Sequence, residues 1–359
     1  MRIIVVCGMS NEKVKARLNP ICQLDEIERV YLVRRQPFSM HKVQTFCPPK
    51  QIRNILILAE TYRLLTLCIL CLVVNPSLLY GIYFVPHGIY AAIIGRLFRK
   101  RVVQELIGTD RPKVMSSRLL LWLLKRAEWI GIRGSSSKKE LINIGIPGSQ
   151  LFSPIAVNAL DFDLFKPNPV EKVYDLIYCG RLEEVKQIDI IIRAIGVLKE
   201  TYPTLKAVII GDGPLLEDLQ SLTEDLGLKS SIFFAGDQPN DKIPGYLNQS
   251  RIFVMASAFE GLPVAMLEAL SCGLPVVMPD VGDIRDVAIH GVNAWIVSDN
   301  TLQGYVEGLS ALLNNQALYS RLKHSALEMR EKFIVDYSAE AAIRIWKDVI
   351  FQRNANKNE

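Results

Sequence analysis

Residues 174–210 read YDLIYCGRLEEVKQIDIIIRAIGVLKETYPTLKAVII, and they contain the clearest secondary-structure pattern of the chain. The apolar run at 174–179 predicts a buried strand, the periodic apolar residues at 188–200 predict a helix, and 207–210 predicts a second strand. Both strands are continuously apolar rather than alternating, which is typical of a parallel sheet covered on both faces. The stretch therefore predicts two parallel strands joined by a crossover helix.

The same alternation of strand and helix extends in both directions. Further strands are predicted at 232–234, 252–255, 276–278 and 294–297, and upstream at 3–7, 30–33, 79–85, 101–105 and 129–132. Helices are predicted at 91–98, 117–125 and 338–349. Two prolines in FKPNPV (165–170) predict a linker. The chain is therefore predicted to be an α/β protein with two doubly wound parallel-sheet domains, 1–165 and 166–335, and a C-terminal segment, 336–359.

Charge is unevenly distributed along the chain. Residues 1–165 contain 23 Lys+Arg and 11 Asp+Glu, whereas residues 166–359 contain 19 and 26, within an overall net charge of +5. A basic half favours an anionic partner such as nucleic acid, a membrane surface or a phosphorylated acceptor. A solvated basic surface without a partner is the alternative interpretation.

The seven cysteines are odd in number and lie mostly in apolar runs, which is typical of reduced thiols in a cytoplasmic protein. Cys68 and Cys71 form a lone C-x-x-C that we interpret as core packing. No secretory signal is predicted at Met1. The apolar run at 64–74 is shorter than the about twenty residues of a spanning helix, and Glu60 and Arg63 interrupt it upstream, so we expect a helix of a soluble domain.

One motif follows the predicted strand at 252–255. A loop carries Glu260, and a helix is predicted to begin near Pro263, because proline suits a first helical turn. The start of such a helix attracts a phosphate. Glu268 lies among Met266, Leu267, Ala269 and Leu270, so its carboxylate needs a partner. We interpret the two glutamates as ligands of a sugar and a ribose; the alternative is a capping residue and a surface residue.

Two more motifs follow strands of the same half. One motif, Cys179-Gly180-Arg181-Leu182-Glu183-Glu184-Val185-Lys186, places two cations in one short loop, and such a pair suits a diphosphate. A pair of surface cations is the alternative. Gly211-Asp212-Gly213-Pro214 permits close approach of a ligand to the backbone, although this sequence is also an ordinary turn.

Together these motifs resemble the donor-binding half of retaining, metal-independent glycosyltransferases of the GT-B fold, family four in the usual classification (glycosyl transferases group 1). The resemblance is strong over about residues 158–297 and weaker over 79–161. It implies two Rossmann-like domains facing a cleft, an acceptor-binding domain followed by a nucleotide-sugar donor-binding domain. It also implies that the C-terminal helix crosses back to the first domain.

The resemblance also implies roles for individual residues. It implies that Arg181 and Lys186 stabilise the leaving diphosphate, that Glu260 contacts the donor sugar and that Glu268 holds the ribose. Further donor contacts are implied for Gly8, Gly211, Asp212, Gly213, Gly261, Leu262, Pro263 and Val264. The implied substrates are a UDP- or GDP-sugar and a glycan or lipid-linked acceptor of cell-surface polysaccharide synthesis. No metal, no further cofactor and no nucleic acid are expected.

Several positions depart from the family pattern. Gln187 stands where glycine often follows the lysine, and Asp283 and Asp286 replace a usual Gly and Glu. The linker element is Asn158-Ala159-Leu160-Asp161, with Ala in place of Gly. In the first half only Gly8 represents a Gly-Gly loop, and Ile107 occupies the position of a histidine beside the transferred sugar. His87 is our candidate to replace that histidine as a catalytic residue; a loop histidine is the alternative.

The first half also carries a basic and apolar segment. Arg96, Arg99, Lys100, Arg101, Arg118, Lys125 and Arg126 flank the apolar helix around Trp122. This composition is typical of an interfacial membrane patch, and a core-facing helix is the alternative. We therefore expect a cytoplasmic protein, peripheral on the inner face of the membrane. Two other functions stay open: a non-catalytic nucleotide-sugar-binding subunit, and another GT-B enzyme such as a nucleotide-sugar epimerase or a phosphorylase.

Overall fold

The structure is a computed structural model that describes residues 1–107, 110–152 and 160–351. The chain divides into two compact units. The first comprises Met1–Ala159 together with Ala339–Glu359, and the second comprises Leu160–Ser338.

The first unit is a parallel sheet covered by helices. In its described residues the strands are β1 (Arg2–Val6), β2 (Arg29–Val33), β3 (Val43–Phe46), β4 (Leu78–Gly81), β5 (Arg101–Glu105), β6 (Trp129–Gly131) and β7 (Leu151–Phe152). The helices are α1 (Asn11–Cys22), α2 (Leu56–Val73), α3 (Ile89–Leu97), α4 (Asp110–Met115), α5 (Arg118–Leu124) and α6 (Ser135–Asn143). The strand order is β3-β2-β1-β4-β5-β6-β7. Ile3 and Val5 pack on one face of β1, Ile4 and Val6 on the other, so both faces are buried.

Two features of this sheet differ from the sequence prediction. The strand predicted at 79–85 ends at Gly81, because the chain turns sharply over Phe84–Gly88 before α3. The edge strands β3 and β7 were not predicted from the sequence. β3 alternates in burial only weakly and β7 has two residues, so neither produces a continuous apolar run.

Helix α2 is longer than its apolar run suggests. Glu60 and Arg63 do not interrupt it, because the guanidinium of Arg63 donates to both carboxylate oxygens of Glu60, at 3.0 and 2.8 Å. By length and composition the helix is long and apolar enough to cross a membrane, and one third of its residues are buried in the structure. A core helix passes the same test, so this property alone does not decide its environment.

The second unit repeats the architecture. In its described residues the strands are β8 (Tyr174–Cys179), β9 (Ala207–Ile210), β10 (Ile232–Gly236), β11 (Ser250–Val254), β12 (Val276–Pro279) and β13 (Ala294–Val297). The helices are α7 (Ile188–Thr201), α8 (Leu216–Asp225), α9 (Ile243–Asn248), α10 (Val264–Ser271), α11 (Leu302–Asn314) and α12 (Gln316–Tyr337). All six strands are parallel, in the order β10-β9-β8-β11-β12-β13. The order reverses between β8 and β11, which is where open α/β sheets bind ligands.

The units are bounded differently from the sequence prediction at both junctions: the second unit ends at Ser338 rather than 335, and its start differs as well. The second unit begins at Leu160 rather than 166, because Leu160, Phe162 and Phe165 are buried in its core. The last helix, α13 (Ala339–Phe351), belongs to the first unit. Its Trp346 is buried there, with its ring centroid 4.7 Å from that of Tyr80 and 6.3 Å from that of Phe152.

Candidate functional site

Lys186, Ser257 and Glu260 meet where β8 and β11 end. The ammonium of Lys186 forms an ion pair with Glu260 Oε1, and Ser257 Oγ donates to the same oxygen at 2.8 Å. The backbone joins the two loops as well, since Ala258 N donates to the carbonyl of Val185 at 2.9 Å. The structure therefore brings Lys186 and Glu260, 74 residues apart in sequence, to one point at the carboxyl edge of the sheet.

Arg181 lies on the same loop but faces solvent. Its side chain is 70% exposed, and its guanidinium pairs with Glu183 at 2.7 Å. The backbone beneath it is fixed, because the buried Tyr178 hydroxyl donates to the carbonyl of Arg181 at 3.0 Å. The loop after β8 therefore carries one exposed guanidinium and one partly buried ammonium, both paired with carboxylates.

Two glycines of the predicted Gly-Asp-Gly-Pro loop are required by close backbone packing. Gly211 has φ +133, and a Cβ there would overlap the carbonyl of Gly180; a Cβ at Gly213 would overlap that of Leu182. Asp212 caps this loop, since its carboxylate accepts from Gly213 N at 2.7 Å. The loop after β9 is thus packed directly on the loop that carries Arg181 and Lys186.

Glu268 lies on α10 and carries a half-buried carboxylate. In the part of the chain that the structure describes, no hydrogen bond or ion pair to this carboxylate is observed. Burial raises its pKa from 4.5 to about 7. Its negative charge helps raise the pKa of the Cys179 thiol, at the end of β8, to about 12, behind the larger effect of burial. Glu268 is therefore a half-buried acceptor near the end of β8 whose hydrogen-bonding capacity is not used by the described residues.

The segment Gly261-Leu262-Pro263-Val264 joins Glu260 to α10, and Pro263 precedes the first helical residue. Gly282, with φ +60, packs so closely on this segment that a Cβ would overlap the carbonyl of Glu260. Asp283 N donates to the carbonyl of Gly261 at 3.1 Å. Asp283 stands where the family usually has glycine, yet its backbone N–H still makes the contact that holds the Glu260 loop.

Gln187 shows why glycine is usual after the lysine. Its φ is +47, in the left-handed region. Its side-chain oxygen accepts from Asn300 Nδ2 at 2.8 Å, and Asn300 in turn accepts from the Tyr305 hydroxyl at 2.7 Å. Sequence reasoning missed Asn300 and Ser257. The available signal for Ser257 was a small polar residue three positions before Glu260 in a loop after a strand.

The remaining predicted residues lie in the first unit. His87 is buried next to Gly8, where a Cβ would come within 2.8 Å of the imidazole. Burial and the charge of Arg63 lower the pKa of His87 to about 3, so the ring is neutral at physiological pH. Ile107 is buried in the core of this unit. Asn158 and Ala159 lie outside the described residues, and so do Gly108 and Thr109.

Acidic groups are spread rather than clustered. In the described ranges, no three His, Cys, Asp or Glu side chains lie together as metal ligands would. The carboxylate of Asp161, in the sequence Asp161-Phe162-Asp163, accepts from the backbone N–H groups of Asp163 and Leu164 at 3.1 and 3.0 Å. It therefore caps a turn.

The second unit contains a match to a known family. Residues 161–329, just under half of the chain, match the model of the family described as glycosyl transferases group 1. This matched segment, the group 1 domain, is therefore similar to that family. The group 1 domain contains every residue of the site described above for the second unit.

Curated relatives match in sequence over part of their length. The chain is 26% identical over 225 residues to the amylovoran biosynthesis glycosyltransferase AmsK of Erwinia amylovora, covering 61% of this chain and 53% of the relative. It is 30% identical over 181 residues to a putative colanic acid biosynthesis glycosyltransferase, WcaL, of Salmonella typhimurium, covering 47% and 43%. The chain spans about half the length of such curated relatives.

A solved structure matches over the whole length. HepE of Anabaena, crystallised in complex with UDP-glucose, has a TM-score of 0.79 at 18% identity, covering 97% of this chain and 99% of that one. The match extends over both units, so the fold is GT-B, with two parallel-sheet α/β domains.

Proposed function

We propose that the protein is a retaining glycosyltransferase that moves a sugar from a nucleotide-diphosphate donor to a glycan or lipid-linked acceptor, in cell-surface polysaccharide synthesis. One observation carries the proposal: Lys186, Ser257 and Glu260 converge at the switch point of the second sheet. Glu268, on the nearby helix α10, has no hydrogen-bond or ion-pair partner among the described residues. The names of relatives in amylovoran and colanic acid synthesis support the polysaccharide role.

In this proposal each residue has a distinct role. Arg181 and Lys186 stabilise the negative charge that grows on the leaving diphosphate, which is where electrostatic catalysis is most effective. Because Glu260 holds the Lys186 ammonium before the donor binds, the cation is already oriented. The Glu260 carboxylate then shares its acceptor capacity between Lys186 and hydroxyls of the donor sugar, and Glu268 accepts from the ribose. The two cations supply charge that a metal supplies in other transferases, so we propose a metal-independent reaction.

A UDP-sugar is the donor favoured by the resemblance to HepE, whose structures contain UDP and UDP-glucose. The test is a thermal-shift panel of UDP, GDP, ADP and CMP with their sugars, with EDTA present, followed by turnover assays with NMR detection of the product anomer. We expect a selective shift with UDP and retention of the donor's anomeric configuration. Inversion, or a strict metal requirement, would contradict the proposal.

Arg181→Ala separates catalysis from binding. Because charge on the leaving phosphate is greater in the transition state than in the bound donor, this change should lower kcat more than it raises KM for the donor. Intact turnover in Arg181→Ala would remove this residue from the diphosphate site.

A second candidate function rests on Ile107. Because an apolar, buried side chain occupies the position of the histidine expected beside the transferred sugar, a non-catalytic nucleotide-sugar-binding subunit is the alternative. Such a subunit would show the thermal shift but no turnover with any acceptor. A nucleotide-sugar epimerase, in contrast, would interconvert sugar nucleotides without an acceptor.

We further propose that the first unit lies on an anionic membrane surface on the cytoplasmic side. Along α2 the side chains of Leu58, Leu65, Ile69 and Leu72 are 45–70% exposed and share one helical face. Helix α3 packs against both α2 and α5, and adds exposed Ile93 and Leu97. A face this apolar is unusual for a protein surface in water.

Positive charge lies beside this apolar face. The exposed Trp122 of α5 has the guanidinium of Arg126 3.5 Å from its ring centroid and that of Arg96 at 5.9 Å. Arg99 and Arg118 are also exposed. Apolar side chains beside a Trp and arginines suit an interface with anionic lipid.

Vesicle co-sedimentation tests the membrane proposal. Binding to vesicles with anionic lipid is expected at low salt, and the triple variant Leu65→Gln/Ile69→Gln/Leu72→Gln should weaken it at least tenfold. Phe233→Gln, an exposed apolar position of the second unit, is the matched control. Equal binding by the triple variant and the control would overturn the proposal.

A further inference from the structure

Asn300 lies in the loop between β13 and α11, and its side-chain amide bonds to two other loops of the second unit. Its Nδ2 donates to Gln187 Oε1 at 2.8 Å and to the carbonyl of Ala256 at 3.3 Å. Gln187 belongs to the loop after β8, and Ala256 belongs to the loop after β11. Because all three strands are parallel, these loops leave the sheet at the same carboxyl edge. One asparagine therefore connects three loops there.

The two residues that Asn300 contacts are sequence neighbours of the candidate site. Gln187 directly follows Lys186, and Ala256 directly precedes Ser257. The ammonium of Lys186 and the hydroxyl of Ser257 both bind one oxygen of the site's carboxylate. The amide of Asn300 is therefore bonded next to the cation on one loop and next to the hydroxyl on the other.

The backbone is left-handed at both ends of the contact between Gln187 and Asn300. Gln187 has φ +47 and Asn300 has φ +52. Asparagine adopts this region more readily than most residues, whereas a glutamine there is strained. Among the described residues, the side chain of Gln187 makes this one hydrogen bond. A glycine would relieve the strain but would lose the bond, so the glutamine keeps an unfavourable conformation together with its link to Asn300.

A buried tyrosine fixes the orientation of this amide. The hydroxyl of Tyr305, which is 0% exposed, donates to Asn300 Oδ1 at 2.7 Å. Burial and, less strongly, the charge of Asp299 raise the pKa of Tyr305, so the hydroxyl keeps its proton and remains a donor. Because the oxygen of the amide accepts from Tyr305, its nitrogen is presented to the other two loops. The core of the second unit, to which Tyr305 belongs, therefore holds the asparagine in its bonding orientation.

We infer that Asn300 is a positioning residue that acts through Gln187 to hold the ammonium of Lys186 in its ion pair. It thereby orients the cation of the proposed diphosphate site before a donor binds. A cation that is already oriented stabilises developing charge better than one that must first be reoriented. The role at the diphosphate rests on the proposed glycosyl transfer, whereas the effect on Lys186 does not and can be measured in the free protein.

Amine acylation of the full chain measures this effect without a donor. An ammonium held by a carboxylate reacts slowly with N-hydroxysuccinimidyl acetate, because only a free neutral amine attacks the ester. Asn300→Gly suits the left-handed backbone and removes the amide, so it should fold and should raise the acylation rate at Lys186 about threefold or more, as read by peptide mass spectrometry. Lys172, whose Nζ donates to the carbonyls of Asn248 and Ser250, is the internal control and should react at the wild-type rate.

Further variants supply a matched control and a graded comparison. Asn75→Gly removes another asparagine from a left-handed position, with φ +50, in the first unit and should leave the rate at Lys186 unchanged. Gln187→Gly removes one of the two bonds that the Asn300 nitrogen donates, so its effect should be smaller. The double variant Gln187→Gly/Asn300→Gly should react no faster than Asn300→Gly alone. An unchanged rate at Lys186 in Asn300→Gly, or an equal rise at Lys172, would overturn the inference.

The affinity for UDP, measured by calorimetry, tests the role at the diphosphate. We expect Asn300→Gly to raise the Kd for UDP about threefold or more, and to have no effect in the Lys186→Met background, because the asparagine acts through that cation. An equal change in both backgrounds would overturn the inference, since a general structural effect does not depend on Lys186. If the acylation rate rises as expected but the wild type binds no nucleoside diphosphate, the positioning of Lys186 is supported and the proposed transfer is overturned.

Discussion

At the residue scale, the pairing of Lys186 with Glu260 is expected to stabilise the fold as well as to orient the cation of the proposed donor site. Both side chains are largely buried, at 20% and 11% exposure, and Ser257 completes the acceptor. Lys186→Met leaves a carboxylate without its cation, so we expect the free energy of unfolding to fall by about 1–3 kcal/mol. Urea denaturation measures this.

The control for that change is an exposed ion pair of the same unit. Lys229 and Glu224 are 79% and 57% exposed, so Lys229→Met should cost about 0–1 kcal/mol. The double variant Lys186→Met/Glu260→Gln should recover part of the lost stability, because the unpaired charge is removed. A cost for Lys186→Met no larger than that for Lys229→Met would mean that the pair is not structurally important.

The raised pKa of Glu268 makes stability depend on pH in a defined direction. Because burial raises the pKa from 4.5 to about 7, the folded protein binds more protons than the unfolded chain between these values. The stabilisation is complete below pH 4.5 and is lost as the pH rises through 7, by at most about 1.4 kcal/mol per pH unit. Glu268→Gln should flatten this part of the stability profile, and urea midpoints at several pH values measure it. An unaltered slope in the variant would assign the proton uptake to another group.

At the scale of elements, the loop after β9 depends on its first glycine. Gly211 combines a φ of +133 with no room for a Cβ beside Gly180. Gly211→Ala must therefore displace the loop that carries Arg181 and Lys186, and we expect a loss of more than about 2 kcal/mol, together with weaker nucleotide binding. Thermal unfolding with and without UDP is the measurement.

Gly245→Ala is the matched control, since Gly245 lies in α9 and a Cβ there would meet nothing within 4 Å. Because alanine favours a helix over glycine, this change should be neutral or stabilising by up to about 1 kcal/mol. If Gly211→Ala is as stable as Gly245→Ala, the loop after β9 can move away from the loop after β8 without loss of stability.

The second unit could be predicted from sequence better than the first, and the reason lies in its strands. β8, β9 and β13 are short, buried apolar runs that follow polar turns, so their predicted and observed bounds agree. In the first unit, the end of β4 is set by the turn at Phe84–Gly88 rather than by a loss of apolar character. Local pattern contains no such information, because the turn depends on tertiary contacts.

The residues of the candidate site also differ in how well the sequence predicts them. Glu260, Lys186 and the glycine loop could be predicted because they lie directly after strands, where parallel sheets gather side chains. Asn300 could not, since an asparagine after a strand is an ordinary turn residue and Gln187 lies far from it in sequence. Only its hydrogen bond to Gln187 Oε1, at 2.8 Å, marks it. The proximity of Ser257 to Glu260, by contrast, is a local feature that pattern reasoning can use.

At the scale of the whole molecule, the first unit takes its last helix from the far end of the chain. Trp346 of α13 is 4% exposed and packs on Tyr80 and Phe152. Trp346→Ala should therefore destabilise the first unit by about 3–5 kcal/mol while leaving the group 1 domain intact. Calorimetry should show one transition moving to lower temperature, and a UDP-dependent shift of the other should persist.

Trp122→Ala is the control at an exposed tryptophan, 43% exposed, and should shift neither transition by more than about 1 °C. If Trp346→Ala lowers both transitions equally, the two units do not unfold independently.

The division at Ala159/Leu160 and Ser338/Ala339 also has a consequence for the order of events on the ribosome. The second unit is one uninterrupted stretch, so all of its residues have emerged when Ser338 clears the exit tunnel. The first unit begins earlier, yet it cannot bury Tyr80 and Phe152 against Trp346 until translation has passed that residue. Of the two units, the one whose strands are synthesised first is therefore the one that completes its folding last, because its apolar sheet cannot be fully covered before α13 has been translated.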